Sequence, residues 1–259
     1  DSPSVRTTEN IILAAVKAKG TTRIYNAAKE PEIEDLQDFV NKMGAKVSGA
    51  GSDYIEIQGV NKLDKVEHTV IPDRIAIGTY MVASAITGGC LEVDKIVRPH
   101  MEPINNTLIK AGCEIEYTKE GLILNAPEKI KAVNFLKTDT HPNFPTDMQA
   151  QMMALMTLSQ GSNIFYETIF ENRFMHCGEL NKMGANTEII SNHLCRINGV
   201  DKLYSAKTKC PDLRGGAALV IAALAAEGES EISNVYHVER GYENIEGILN
   251  SLGADIKKL

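Results

Sequence analysis

The sequence predicts an α/β protein assembled from a repeated unit, roughly βαβαββ, with helices covering sheets. Three observations lead there. The tripeptides Met43-Gly44-Ala45, Ala111-Gly112-Cys113, Met183-Gly184-Ala185 and Leu252-Gly253-Ala254 each end a helical pattern, with glycines 68, 72 and 69 residues apart. Self-similarity at such a period marks a duplicated supersecondary unit. Each period also opens with a short helix that is apolar on nearly all sides, and such a helix belongs inside. A glycine and a short stretch of alternating polarity then follow, which is the signature of a half-buried strand.

The elements follow in order. First helices are expected over Glu9–Lys19, Thr79–Thr87, Met148–Gln160 and Ala217–Glu227. They stop at Gly20, Gly88-Gly89, Gly161 and Gly228, because glycine alone takes the left-handed residue after a helix without strain. Strands are expected next at Thr22–Tyr25, Leu91–Ile96, Asn163–Glu167 and Glu231–Val235. A second, polar-faced helix comes after, as at Glu34–Met43 and Glu243–Leu252. The tripeptide glycine ends it and hands over to a strand such as Lys46–Val47 or Asp255–Ile256, and strands such as Tyr54–Gln58 and Gly121–Leu124 complete the unit. The polar stretches 61–67 and 117–121 read as solvated surface.

The chemistry concentrates in residues 141–177. Asp147 opens an almost wholly apolar helix, and Arg173 sits in the aromatic frame Phe170-Glu-Asn-Arg-Phe174. Fixed charges on buried scaffolding suggest a site, because apolar surroundings make them both costly and strong. The same residues also fit a capping box, Thr146-x-x-Gln149, with Asp147 favoured by the helix dipole, so residue types alone leave both readings open. The other first helices begin at Thr7-Thr8-Glu9-Asn10, Pro72-Asp73-Arg74 and Pro211-Asp212-Leu213-Arg214. Buried helices presenting parallel N-termini would offer free N–H groups to an anion. Asp73 reads as an ordinary N-cap. Arg214 does not, since a cation at a helix N-terminus is locally unfavourable and needs another reason to be there.

Composition narrows the function. The 259 residues are 43% hydrophobic and 24% charged, enough for one large domain or two smaller ones. A net charge of −7 without a basic run argues against a nucleic-acid or membrane surface. Five scattered cysteines without CxxC spacing indicate neither a disulfide framework nor a zinc site, and the six histidines show no metal-ligand spacing. No signal peptide and no apolar run of about 18 residues is present. A cytoplasmic protein without metal or cofactor is the expectation.

Ser4-Val5 with Thr8-Glu9-Asn10, Glu30-Pro31-Glu32-Ile33, Pro72-Asp73-Arg74, Phe144-Pro-Thr-Asp-Met-Gln-Ala-Gln151, Phe170-Glu-Asn-Arg-Phe-Met-His176, Asp212-Leu-Arg214 and Arg240-Gly-Tyr-Glu243 stand in this order along the chain. Together they resemble the UDP-N-acetylglucosamine 1-carboxyvinyltransferase family, the enolpyruvyl transferases that begin bacterial peptidoglycan synthesis. The resemblance covers the whole chain. It implies inverse α/β barrel-like domains of pseudo-threefold form, with helices buried inside sheets and three repeats in each of two domains. Residues 1–70 then correspond to the last repeat of the first domain, and 71–259 to a second domain of three repeats. The family's two opening repeats, with a lysine-asparagine pair and a mobile loop bearing a reactive cysteine, have no counterpart here. None of the five cysteines occupies an equivalent position, so the missing repeats are an expected partner, in cis or in trans.

The resemblance further implies transfer of enolpyruvate from phosphoenolpyruvate to the 3-hydroxyl of UDP-N-acetylglucosamine, with release of phosphate through a tetrahedral intermediate. Asp147 takes the general-base position against the attacking hydroxyl. Asp212 matches an aspartate that helps proton movement at the phosphoenolpyruvate carbons. Arg214 and Arg240 match arginines that hold its carboxylate or phosphate, and Arg173 matches an arginine at the cleft between domains. Thr146 and Ile169 would lie along the nucleotide sugar, and the loop Ser2, Pro3, Ser4 and Val5 would meet its diphosphate. The sequence departs from the family's pattern at Arg6 and Thr7, where glycine and alanine are usual, and at Lys29, Pro211 and Gly215. Two other readings stand beside this one. One is 5-enolpyruvylshikimate-3-phosphate synthase, which lacks the two long signatures. The other is a non-catalytic nucleotide-sugar-binding fragment.

Overall fold

A computed structural model describes residues 3–259. The chain divides into two compact units: one runs to Pro72 and includes Thr140–Asn143, and the other comprises Asp73–Asp139 and Phe144–Leu259.

The first unit is a single repeat: α1 (Val5–Ala15), β1 (Thr21–Tyr25), α2 (Pro31–Lys42), β2 (Lys46–Ser48) and β3 (Tyr54–Gln58). Its strands form an antiparallel sheet in the order β1-β3-β2. Ile12, Ile33, Ile55 and Ile57 are fully buried between helices and sheet. One face of α1 stays open, with Leu13 53% exposed.

The second unit repeats the plan. α3 (Arg74–Ile86), β4 (Cys90–Val93), α4 (Arg98–Lys110), β5 (Glu114–Tyr117) and β6 (Leu122–Asn125) give a sheet ordered β4-β6-β5, the same topology as before. Next come β7 (Phe135–Lys137), a 3-10 turn over Thr146–Met148, α5 (Gln149–Met156), β8 (Ser162–Tyr166), α6 (His176–Lys182), β9 (Asn186–Ser191) and β10 (Leu194–Asn198). These strands order as β7-β8-β10-β9, with β7 parallel to β8. The chain finishes with β11 (Leu203–Tyr204), β12 (Lys207–Lys209), α7 (Leu213–Leu224), β13 (Ala226–Glu227), β14 (Glu231–Ser233), α8 (Tyr236–Glu239) and α9 (Ile245–Ser251). Here β11 pairs with β13 and β12 with β14, both in parallel. A strand thus precedes the first helix in the third and fourth repeats but not in the second, where residues 59–73 form none.

The first helices of the second unit hold it together. α3, α5 and α7 each pack against the other two. Every residue of α5 is buried, and α7 buries Gly215–Leu219. Each fully buried Met or Leu contributes on the order of 1.5–3 kcal/mol, so these helices are worth far more inside than their propensity alone would give.

The tripeptide glycines explain how each second helix stops. Gly44, Gly112, Gly184 and Gly253 have φ of 98°, 102°, 88° and 101°. In each case the glycine N–H bonds three residues back, and the next residue's N–H reaches five back, as Ala185 does to Leu180. That is a Schellman stop, made four times. A further device accompanies three of them. Asn41, Asn181 and Asn250 each clamp the backbone N–H and C=O of the residue six further on, Val47, Thr187 and Ile256, at 2.7–3.1 Å. Ile109 stands at this position in the second repeat.

Several boundaries differ from expectation. α1 starts at Val5, because the Ser4 hydroxyl caps it by accepting from Thr7 N–H at 3.3 Å. α3 and α7 also start earlier, capped by Asp73 and Asp212. The third first helix ends at Met156 rather than Gln160, where the Thr157 and Ser159 hydroxyls take the carbonyls of Ala154 and Met156. Asp255–Ile256 forms no strand: Asn250 holds its backbone instead. Replacing Asn181 with Ala removes both clamping bonds and should lower stability by about 1–2 kcal/mol. Urea unfolding reads this directly, and an unchanged midpoint would make the clamp incidental.

Candidate functional site

The site is built where the first helices begin. Asp73 and Asp212 lie two and three residues ahead of the N–H groups that they cap. Asp73 Oδ1 accepts from Ile75 and Ala76, and Asp212 Oδ1 accepts from Arg214 and Gly215, at 2.8–3.0 Å. In the third repeat Pro145 precedes the helix and cannot cap it by a side chain, and the chain enters through a 3-10 turn. The expected capping box does not form. The Thr146 hydroxyl donates to Glu167 Oε2 at 2.9 Å, and Asp147 is left free to pair elsewhere.

It pairs with two arginines. Arg173 Nη2 donates to Asp147 Oδ1 at 2.8 Å, and Arg214 Nε lies 3.3 Å from the same oxygen. This supplies the reason for a cation at the α7 N-terminus. The Asp147 side chain remains 44% exposed while those of Arg173 and Arg214 are 18% and 16% exposed, so the carboxylate is the reachable member of the cluster. Burial alone would raise its pKa. The adjacent charges of Arg214 and Arg173, with their hydrogen bonds, outweigh this and hold it below the ordinary carboxylate value. The group stays ionised, but with two cations on it, it is a weakened base.

Behind Asp147 lies a polar net inside the helix packing. Gln151 Nε2 donates to the Asp147 carbonyl at 2.8 Å and reaches Thr79 Oγ1 and Tyr242 Oη at 3.1 and 3.2 Å. Arg214 Nη1 donates to Tyr242 Oη at 3.3 Å. Among the described residues the cluster also keeps buried polar atoms without a hydrogen-bond partner: Arg173 Nε, Arg214 Nε beyond its ion-pair contact with Asp147, Gln151 Oε1, both amide atoms of Gln149 and both ring nitrogens of His176. Such atoms cost stability unless water or a ligand meets them, and their concentration here marks a polar site rather than plain core.

Glu167 braces the two arms. It is fully buried, and its carboxylate takes Thr146 Oγ1 on one side and the N–H groups of Ile169 and Phe170 on the other, at 2.8–3.1 Å. It thereby fixes the residue before Asp147 and the turn that carries Arg173. The Arg173 guanidinium lies over the Phe170 ring, 4.8 Å from its centre.

The expected site residues are distributed as follows. Asp147, Arg173 and Arg214 come together, with Thr146 and Ile169 adjoining through Glu167, and Asp212 caps the helix that carries Arg214. Arg240 is exposed at the end of α8, and among the described residues no ion pair includes it. Ser4 and Val5 open α1 in the first unit, preceded by Pro3, and Ser2 lies outside the described residues. Sequence reasoning missed Glu167, Gln151 and Tyr242. A signal for the register does exist. Arg6, Asp147 and Arg214 all stand second after the residue that opens their helix, Ser4, Pro145 or Asp212, so an acid occupies the third repeat where arginine occupies the first and fourth and Ile75 the second. Among the described residues no cluster of three or more His, Cys, Asp or Glu could hold a metal ion, and no helix is long and apolar enough to cross a membrane.

The sequence family described as EPSP synthase (3-phosphoshikimate 1-carboxyvinyltransferase) matches residues 1–249. UDP-N-acetylglucosamine 1-carboxyvinyltransferase 1 of Caldanaerobacter subterraneus subsp. tengcongensis is 52% identical over 256 residues, covering 99% of this chain and 61% of the relative. UDP-N-acetylglucosamine 1-carboxyvinyltransferase of Myxococcus xanthus is 48% identical over 258 residues, covering 100% and 61%. The chain thus spans about three fifths of the length of the curated relatives that it matches. Among solved structures, the enolpyruvyl transferase NikO from Streptomyces tendae superposes with a TM-score of 0.84 at 23% identity, over 98% of this chain and 60% of that one. EPSP synthase from Acinetobacter baumannii does so at 0.73 and 17%, over 99% and 62%. These two likenesses establish the enolpyruvyl transferase fold.

His176 gives the site a measurable pH signature. Burial pushes its pKa down from 6.5 to about 4, with Asp212 opposing and Arg173 assisting. The folded-state value is depressed, so the unfolded chain binds a proton near 6.5 that the folded chain refuses until about 4. Stability is therefore complete above 6.5 and lost as pH falls toward 4. About 2 kcal/mol should disappear between pH 7 and pH 5, read from urea midpoints. His176→Leu should flatten that slope, and an unchanged slope would assign it to another group.

Proposed function

The chain belongs to the EPSP synthase (3-phosphoshikimate 1-carboxyvinyltransferase) family, and on that premise we propose that it is the larger part of an enolpyruvyl transferase acting on UDP-N-acetylglucosamine. The observation that carries the reading is Asp147, a half-buried, ionised carboxylate held by two less exposed arginines at the start of a buried helix. The relatives at 48–52% identity that bear the name UDP-N-acetylglucosamine 1-carboxyvinyltransferase support this acceptor over a shikimate phosphate.

The chemistry proposed for the site is as follows. The 3-hydroxyl of the nucleotide sugar attacks the central carbon of phosphoenolpyruvate, while Asp147 takes the hydroxyl proton and the methylene carbon gains one. An alcohol is a poor nucleophile unless its proton leaves as the bond forms. The tetrahedral adduct then loses phosphate, and the proton leaves the methyl carbon. Asp212 assists proton movement at that carbon. Its Oδ1 holds the cap of α7, which leaves the second oxygen for this role. Arg214 and Arg240 hold the carboxylate or phosphate, for which a planar, permanently charged fork is suited. Two cations depress the basicity of Asp147, so an anionic substrate group that draws one of them away would strengthen the base as the substrate arrives.

Thr146, Ile169 and Arg173 are assigned to the nucleotide sugar, and Ser2, Pro3, Ser4 and Val5 to its diphosphate. In the same proposal residues 1–70 are the last repeat of one pseudo-threefold domain and 71–259 are the three repeats of the next, each an inverse α/β barrel. The open face of α1 supports this, since α3, α5 and α7 bury the corresponding surface against one another. Two further repeats, in cis or in trans, would cover it. The protein would act in the cytoplasm and need no cofactor.

Phosphate release from phosphoenolpyruvate tests the proposal. A protein that includes the two additional repeats should release phosphate only when UDP-N-acetylglucosamine is also present. The 259-residue chain alone should release little, and a separately made N-terminal part should restore release. Robust release by the chain alone would show that the two additional repeats are dispensable. No release by the longer protein with both substrates would remove the enzymatic reading.

A further inference from the structure

The two arginines on Asp147 are held in different ways. Arg214 is fixed from behind. Tyr242 is 3% exposed, and its hydroxyl lies 2.9 Å from Thr79 Oγ1, 3.2 Å from Gln151 Nε2 and 3.3 Å from Arg214 Nη1. Gln151 Nε2 shares its two hydrogens among three oxygens, the Asp147 carbonyl, Thr79 Oγ1 and Tyr242 Oη. Amide and guanidinium nitrogens only donate, so Tyr242 Oη accepts from both Gln151 and Arg214. Its single hydrogen goes to Thr79 Oγ1, whose own hydrogen goes to the Ile75 carbonyl at 2.8 Å. The net draws on α3 through Thr79, on α5 through Gln151 and on α7 through Arg214. Three buried helices thus set where one guanidinium lies. Its central carbon also lies over the Tyr242 ring, 5.7 Å from the centre.

Arg173 has no such backing. It sits in the turn between β8 and α6. Among the described residues its side chain bonds Asp147 and lies over the ring of Phe170, itself 46% exposed, and makes no hydrogen bond to the buried net; its Nε, like that of Arg214, has no hydrogen-bond partner.

We infer that Tyr242 is a positioning residue: its buried hydroxyl, oriented by Thr79 and Gln151, locks Arg214 against Asp147 and leaves Arg173 as the partner that can be surrendered. The lock is a property of the folded chain. Only its use, passing Arg173 to a substrate anion while Arg214 stays, rests on the proposed carboxyvinyl transfer. The division of labour gives the cluster one constant cation and one exchangeable cation. A carboxylate between two equally mobile arginines would instead lose either of them at random.

The test is NMR of the folded chain without substrate, following the Asp147 carboxyl carbon through a pH titration and the Nε–H signals of Arg173 and Arg214. In the unaltered chain the Arg214 signal should be sharp and slow to exchange, and that of Arg173 broad. Tyr242→Phe should move the Asp147 titration upward toward the ordinary carboxylate value and broaden the Arg214 signal. Tyr54→Phe, which loses a hydroxyl bonded to Glu56 at 2.9 Å, should move neither. A merely structural tyrosine would lower stability and leave Asp147 titrating as before. A folded Tyr242→Phe chain with unaltered Asp147 and Arg214 signals overturns the inference, as does a sharp Arg173 signal beside a broad Arg214 one. If Tyr242→Phe does not fold, Thr79→Val removes the acceptor that orients the phenol and is read by the same two signals. Because no substrate takes part, the result stands or falls apart from the proposed reaction.

Discussion

The mutual burial of three apolar helices is the constraint on which the second unit depends. α3, α5 and α7 have no face suited to water, and every residue of α5 is buried. Such helices are stable only when packed against one another under the sheets, where they contribute through area rather than propensity. The same packing decides where polar chemistry can be placed. Helix bodies exclude it and helix starts invite it, since their N–H groups need acceptors. Among the polar exceptions within the packing, Thr79, Gln151 Nε2 and Tyr242 bond one another, while Gln151 Oε1 and the Gln149 amide find no partner among the described residues. The charges therefore gather at the helix starts.

Duplication supplied the geometry for the ion pair. Asp147 and Arg214 each stand second after the residue that opens their helix, Pro145 and Asp212. α5 and α7 pack together, and these two side chains meet at 3.3 Å. Pro145 contributes as well. It deprives the third repeat of the side-chain cap that Asp73 and Asp212 provide in theirs, and Asp147 is consequently available for other chemistry.

Much of the fold was legible because glycine leaves an unambiguous trace. Gly44, Gly112, Gly184 and Gly253 all adopt the left-handed conformation that their spacing implied, and so do Gly20, Gly88, Gly161 and Gly228. Helix starts were less legible, since the polar residues of a first turn, such as Arg6 to Thr8 or Arg74, break the apolar pattern although they are helical. The sequence brought Asp147, Arg173 and Arg214 forward, but it left a helix cap and a functional site both open for Asp147. Only the position of Glu167 decided between them, by taking the Thr146 hydroxyl. Glu167 and Tyr242 carry no local signal, because their partners come from other elements. Arg240 remains an assignment by resemblance, exposed and apart from the described ion pairs.

The central claim is that Asp147 moves a proton and does not merely cap or brace a helix. Single-turnover kinetics of Asp147→Asn in the longer protein proposed above tests this most directly, because asparagine keeps the shape and loses the base. Binding of both substrates should persist, while the transfer step should slow by about 10²–10⁴-fold. A transfer rate equal to that of the unaltered protein would contradict the claim and return Asp147 to a structural role.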